Sequence, residues 1–227
     1  MFWILQNRFI ISRLNGLIKM SDLRYMDLSL DEILKNVNLC KSVVNDQKEA
    51  ISEFEDIILS ASNKRTSNTR DTTIFLVGAG RSGFVAKAFA MRLMHLGFYV
   101  YVFGESIAPP VNDGDIIIIV SKSGKSNSIT QIVEDLKLDN VRFLAVCGSE
   151  ECDLAKIADA KIIVESLPQR LINMGAEAQP LELILMGTAF ELSAFILLDA
   201  LVCELMESLN LREKDLKAYH DVLSSSI

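Results

Sequence analysis

The sequence predicts an α/β fold: a three-layer sandwich built on a five-stranded parallel sheet, with helices added at both ends. Three observations predict it. Five short apolar runs alternate with helix-like segments along the chain, which is the pattern of β-α-β units. The runs are continuously apolar rather than alternating, so both faces of the sheet must be covered. Two of them, 74–77 and 116–120, stop abruptly in loops of small residues, Gly78-Ala-Gly-Arg-Ser-Gly83 and Ser121-Lys-Ser-Gly-Lys-Ser126. Loops of this kind lie beyond the carboxyl ends of parallel strands, where ligands of open α/β sheets bind.

In order along the chain, residues 29–62 show helical periodicity through Leu30, Ile33, Leu34, Val37 and Leu39, then Val43, Val44, Ile51, Phe54, Ile57 and Ile58. Ser29, followed by Asp31 and Glu32, is the expected N-cap with acids in the first turn. A polar stretch over 63–71 leads to the first strand, 74–77. A helix is expected over 84–96, with Phe84, Ala88, Met91 and Leu96 near one stripe and Gly97 ending it. The second strand is 99–103. Pro109-Pro110 and the turn Asn112-Asp-Gly-Asp115 precede the third strand, 116–120. A helix over 129–138, a strand over 142–146, a short helix over 153–158 and a strand over 161–164 complete the sheet. A long helix is expected from Pro180 to about Leu209, and another over 212–223.

Composition narrows the function. Half of the 227 residues are apolar, enough for a large core, and the net charge is −7, from 30 acidic and 23 basic residues. With no basic cluster, a broad nucleic-acid surface is excluded, because such surfaces neutralise many phosphates with Lys and Arg. A single phosphate is still acceptable, since helix ends and loop N–H groups set the local field. The cysteines, Cys40, Cys147, Cys152 and Cys203, match no zinc spacing and read as reduced thiols of a cytoplasmic protein. Two histidines, His95 and His220, are too few for a multi-histidine metal site, and no metal is expected. Residues 1–28 read as an N-terminal extension and 29–227 as a single domain. Residues 1–19 contain no acid and mix apolar side chains with Arg8, Arg13 and Lys19, the pattern of an amphipathic helix that packs on a partner or a membrane surface, of a peripheral helix, or of a chain whose true start is Met20 or Met26. The apolar stretch 183–203 carries Glu191 and Asp199, each costing about 2.5–3.5 kcal/mol near a bilayer centre; no membrane span is expected.

The loops carry the chemistry. Gly78-x-Gly80-x-x-Gly83 follows a strand and opens a helix, which satisfies the dinucleotide fingerprint in letter. Glu105 is the nearest acid for a ribose, at a loosely fitting distance, and the second loop is left unexplained. Ser123-Gly-Lys-Ser126 imitates the end of a Walker A motif, but the position of its first glycine is Ile119, inside a strand. What both loops share is an array of hydroxyl and backbone N–H donors: Gly80, Arg81 and Ser82 in the first, Ser121, Ser123 and Ser126 in the second. Two such arrays at helix starts suit one phosphate ester, although Ser82 alone fits ordinary N-capping. Glu191, in an apolar surround, is expected either to serve proton transfer or to pair with an arginine. His220 is a candidate for a second acid–base or hydroxyl-binding role. His95 falls near a helix C-terminus and reads as structural.

These residues resemble a known family. Val77-Gly-Ala-Gly-Arg-Ser-Gly83 with Phe89-Ala-Met-Arg-Leu-Met-His-Leu-Gly97, Val120-Ser-Lys-Ser-Gly-Lys-Ser126 and Met186-Gly-Thr-Ala-Phe-Glu191 are similar to the SIS (sugar isomerase) domain. The resemblance covers roughly 30–223. Lys122 stands where the family loop usually has glycine, and Ser126 where it usually has threonine. The resemblance implies a flavodoxin-like five-stranded parallel sheet, a homo-oligomer, often a tetramer, and an isomerase without cofactor. It further implies that Ser82, Ser121, Ser123 and Ser126 hold a sugar phosphate and that Glu191 and His220 are acid–base candidates. The expected reaction interconverts 3-hexulose 6-phosphate and fructose 6-phosphate through a cis-enediolate, downstream of a 3-hexulose-6-phosphate synthase. Isomerisation of arabinose 5-phosphate or sedoheptulose 7-phosphate, or sugar-phosphate binding without catalysis, are the alternatives.

Overall fold

A computed structural model of the protein describes residues 23–62, 71–124, 140–165 and 188–217. Three helices, α1 (Arg24–Asn38), α2 (Cys40–Asp46) and α3 (Lys48–Ser60), lead into β1 (Thr73–Gly78), α4 (Gly80–His95), β2 (Tyr99–Val102), β3 (Ile116–Ser121), β4 (Arg142–Cys147), α5 (Asp153–Ile157), β5 (Ala160–Ile163) and the long α6 (Thr188–Ser208). The five strands form one sheet in the order β2-β1-β3-β4-β5. Every pairing is parallel. This is the expected α/β sandwich, with its change of direction between β1 and β3.

The apolar runs work as their composition requires. Ile74, Leu76, Ile116, Ile118, Val120, Leu144 and Val146 face one core, shared with Phe54 and Ile58 of α3, Leu93 of α4 and Phe190, Leu198 and Leu205 of α6. Their neighbours Phe75, Val77, Ile117, Ile119, Ala145 and Cys147 face a second core with Val141, Cys152, Leu154 and Ala155. The two-residue period of a strand sends successive side chains to opposite faces, so a continuous run is needed wherever both faces are covered. Asp115 closes the turn before β3: its carboxylate accepts the Thr73 N–H at 2.9 Å and the Asn112 N–H at 2.8 Å.

The helical segments depart from expectation in three places. The stretch 29–62 is not continuous, being divided at Leu39 and Gln47. Gln47 leaves helical geometry (φ −129°, ψ 32°). Its amide Nε2 donates to the Ile163 carbonyl and its Oε1 accepts the Ile163 N–H, both at 2.8 Å. The side chain thus pairs with the edge strand β5 as a further strand would, and satisfies groups that are otherwise open to solvent. Ser29 is not an N-cap; the helix begins at Arg24, nearly two turns earlier, with Leu23 at the cap in left-handed geometry (φ 52°). Asn36, near the end of α1, is buried, as is Cys40 at the start of α2, while Leu30 and Leu34 are exposed.

In α4 the stripe through Phe84 and Met91 also points outward, at 73% and 51% exposure, and Val85, Ala86, Phe89, Ala90 and Leu93 are buried instead. Apolar residues occupy both faces of that helix, so periodicity alone did not identify the inner one. His95 ends α4 and is buried, in line with a structural role. The helices expected over 129–138 and 180–187 lie outside the described residues, while 213–217 is helical. Among the described residues, no helix is long and apolar enough to cross a membrane. Cys40, Cys147 and Cys152 are buried free thiols and Cys203 is an exposed one.

Candidate active site

Register brings the two loops to one level. Gly78, the last residue of β1, is opposite Val120, and Ser121, the last of β3, is opposite Cys147. Both chains therefore leave the sheet side by side at the point where strand order reverses, and α4 starts immediately from the first.

The first loop is shaped by a glycine pair. A Cβ on Gly83 would stand 2.8 Å from the Gly78 carbonyl oxygen, and one on Gly78 would stand 2.8 Å from the Ser82 carbonyl oxygen and 2.9 Å from Gly83 Cα. The first turn of α4 thus lies directly on the end of β1, with no room for a side chain on either. This contact also decides which face of α4 lies on the sheet. Gly80, by contrast, has φ +55° and nothing within 4 Å of its missing Cβ. The backbone there is bare toward open space, where a ligand can approach. The cap residue of α4 is Ala79, and no side chain caps the helix. Ser82 therefore does not fill the N-capping role, and the first N–H groups of α4 stay available to an anion.

Replacing Gly83 with alanine tests this packing. The added methyl meets backbone rather than a flexible side chain, so strand and helix must separate. Gly83→Ala is expected to lose about 1–3 kcal/mol by overpacking, read as a lower midpoint in urea.

The second loop closes on itself. The Ser121 hydroxyl accepts the Gly124 N–H at 3.2 Å. Gly124 has φ +62°, and a Cβ there would press on Cys152 Sγ at 3.0 Å. The Lys122 carbonyl accepts the Gly148 N–H at 3.0 Å, tying the loop to the end of β4. Beneath it, Cys152 caps α5 by accepting the Ala155 N–H at 3.3 Å. Burial pushes the neighbouring Cys147 thiol up from its ordinary range, which favours the neutral thiol. Ser121 is buried and Ser123 exposed. Ser126 and His220 lie outside the described residues.

The third contribution comes from α6. Glu191 stands in its first turn. Its Oε2 lies 3.5 Å from Arg81 Nε, with the glutamate side chain 13% exposed and the arginine 53%. The pair joins two segments far apart in sequence, and brings two predicted site residues together: the carboxylate faces the loop that follows β1. The arginine is half open to solvent, so it retains donors for a ligand. One residue that sequence reading passed over is also here. Thr188, a turn before Glu191, has a buried hydroxyl without a hydrogen-bond partner, and Glu191 Oε2 is likewise buried without one. Glu105, the acid considered for a ribose, is held by Lys87 at 2.6 Å. Among the described residues, no group of three or more His, Cys, Asp and Glu side chains stands together to hold a metal.

Comparison with known proteins matches residues 69–192 to the SIS domain. The chain is 32% identical over 205 residues to the 3-hexulose-6-phosphate isomerase of Methanocaldococcus jannaschii, covering 88% of this chain and 98% of that protein. It is 33% identical over 178 residues to the Bacillus subtilis protein of the same name, covering 76% and 94%. A crystal structure of a Methanococcus jannaschii protein, for which that isomerase function was inferred, superposes with a TM-score of 0.66 at 30% identity, over 83% of this chain and 95% of the other.

Proposed function

The chain belongs to the SIS domain family, and from that premise we propose that it is a phosphosugar isomerase interconverting 3-hexulose 6-phosphate and fructose 6-phosphate. The observation that carries this reading is the meeting of Glu191, in the first turn of α6, with Arg81, in the first turn of α4 at the end of β1. A carboxylate, a half-exposed guanidinium and uncapped helix N–H groups within one edge of the sheet are what a proton transfer on a phosphorylated sugar requires.

In this reading the loops after β1 and β3, with Ser82, Ser121, Ser123 and Ser126, grip the phosphate. That fixes the carbon chain against the base and converts binding into orientation. Glu191 removes the proton on C2 of the hexulose, the enediolate spans C2 and C3, and return of the proton to C3 leaves the ketone at C2. Arg81 supplies donors to the developing oxyanion. In 3-hexulose 6-phosphate, O6 is esterified and attack of O5 on C3 would close only a four-membered ring, so the sugar is open-chain. Fructose 6-phosphate is cyclic, and His220 is assigned to opening it. A homo-oligomer, a tetramer in the family pattern, belongs to the same reading. It is supported by the outward apolar side chains of Phe84, Met91 and Phe195. The substrate comes from a 3-hexulose-6-phosphate synthase.

Incubation with fructose 6-phosphate in deuterated water tests the reaction. Deuterium is expected at C3, seen as loss of the C3 proton resonance. Label at C1 would mean an aldose–ketose isomerase, and no label at any carbon would mean a binding protein without catalysis.

A further inference from the structure

The unpartnered hydroxyl of Thr188 is the feature for which the scheme above has no use. Threonine and glutamate three residues apart on a helix share a face. Here they are Thr188 and Glu191, both in the first turn of α6, each with an oxygen that is buried yet bonds to nothing. The contact of Glu191 with Arg81, at 3.5 Å, is an ionic approach rather than a hydrogen bond. Buried polar atoms are nearly always paired, because an unpaired one forfeits its hydrogen bonds to water without replacement. Two on one helix face, with Arg81 at 3.5 Å from the second, form a pair of oxygens suited to a hydroxyl-bearing partner. Arg81, the residue after Gly80, ties that helix turn to the carboxyl end of β1, the edge at which ligands of open α/β sheets bind.

We propose that Thr188 is a substrate-binding residue whose hydroxyl bonds an oxygen at the reacting end of the sugar, next to the carbon that Glu191 deprotonates. A hydroxyl suits this position because it donates to a carbonyl or enediolate oxygen and accepts from a sugar hydroxyl, and both states occur during a ketone shift. This role rests on the isomerase reading, and the experiment separates the two.

The variants are Thr188→Val, which keeps the shape and removes the hydroxyl, and Thr188→Ser, which keeps the hydroxyl. In the purified full-length protein, T188V is expected to lower kcat/KM by about 10- to 100-fold, the size of one lost hydrogen bond to a group left unpaired. T188S is expected to stay within about threefold of wild type, by the same argument. Without sugar, T188V should melt at or above the wild-type temperature, since it removes a polar group that bonds to nothing. A purely structural threonine would give the reverse: lower melting with kcat/KM unchanged. Either half of that result overturns the assignment. If the wild type proves to have no isomerase activity, calorimetric titration with fructose 6-phosphate decides. At least tenfold weaker binding by T188V upholds Thr188 while the catalytic reading fails. Equal binding by the two proteins, or none by the wild type, overturns the assignment of Thr188.

Discussion

Glu191→Gln is expected to reduce isomerase turnover by about 10²–10⁴-fold, the contribution of one positioned general base. It should abolish deuterium uptake into fructose 6-phosphate to the same extent. The amide has nearly the shape of the carboxylate but takes up no proton. Its structural cost is small, because Glu191 Oε2 already lacks a hydrogen-bond partner and its cationic neighbour Arg81 is half exposed. An ion contact of that exposure contributes little to folding. The variant should therefore fold, melt close to wild type and still bind fructose 6-phosphate while exchanging no hydrogen. Wild-type turnover in a folded E191Q protein would remove Glu191 as the base and leave the reaction to another group.

Phe190→Ala should do the opposite. Phe190 is 1% exposed and belongs to the larger core. The helix that carries it, α6, packs against α1, α2, α3 and α4. Truncating a buried phenylalanine costs about 3–5 kcal/mol, from lost transfer energy and from the cavity left behind. For a chain of this size, each kcal/mol lowers the melting temperature by about 2–4 °C. The expected fall is then about 6–20 °C, measured by thermal unfolding followed by circular dichroism. Deuterium exchange should persist in the cold, where the protein is still folded, because the reacting groups are untouched. Two adjacent residues of α6 would thus separate stability from chemistry, one turning inward to the core and the next toward the loop after β1. A melting temperature unchanged in F190A would mean that the core around α6 collapses onto the vacancy, and that Phe190 does not anchor the helix.

Much of the site was legible before the fold. Gly78, Gly80 and Gly83 announce a strand passing tightly into a helix, because side chains are excluded where backbone meets backbone, as between Gly78 and Gly83. Glu191 stands out because a carboxylate in an apolar stretch requires a reason to be there. Thr188 did not stand out: a threonine in a helix is unremarkable in sequence, and only the absence of a partner for its buried oxygen marks it. Gln47 was equally silent, since its bonds to Ile163 cross a large separation in the chain.

The five strands and their order of appearance were determined by the sequence alone, because strands of a covered parallel sheet carry short apolar runs, unbroken in the central β1 and β3 and only lightly interrupted at the edges, and local composition records that directly. So was the presence of two donor-rich loops at strand ends. Which face of each helix turned inward was decided by tertiary structure. In α4, apolar residues surround the axis, and the core took Phe89 and Leu93 while leaving Phe84 outside; Leu30 and Leu34 of α1 stayed outside as well. The partnership of Arg81 with Glu191 was decided there as well. Its residues have no local relation, and only the stacking of α6 beside α4 on one face of a parallel sheet brings the Glu191 carboxylate to the start of α4.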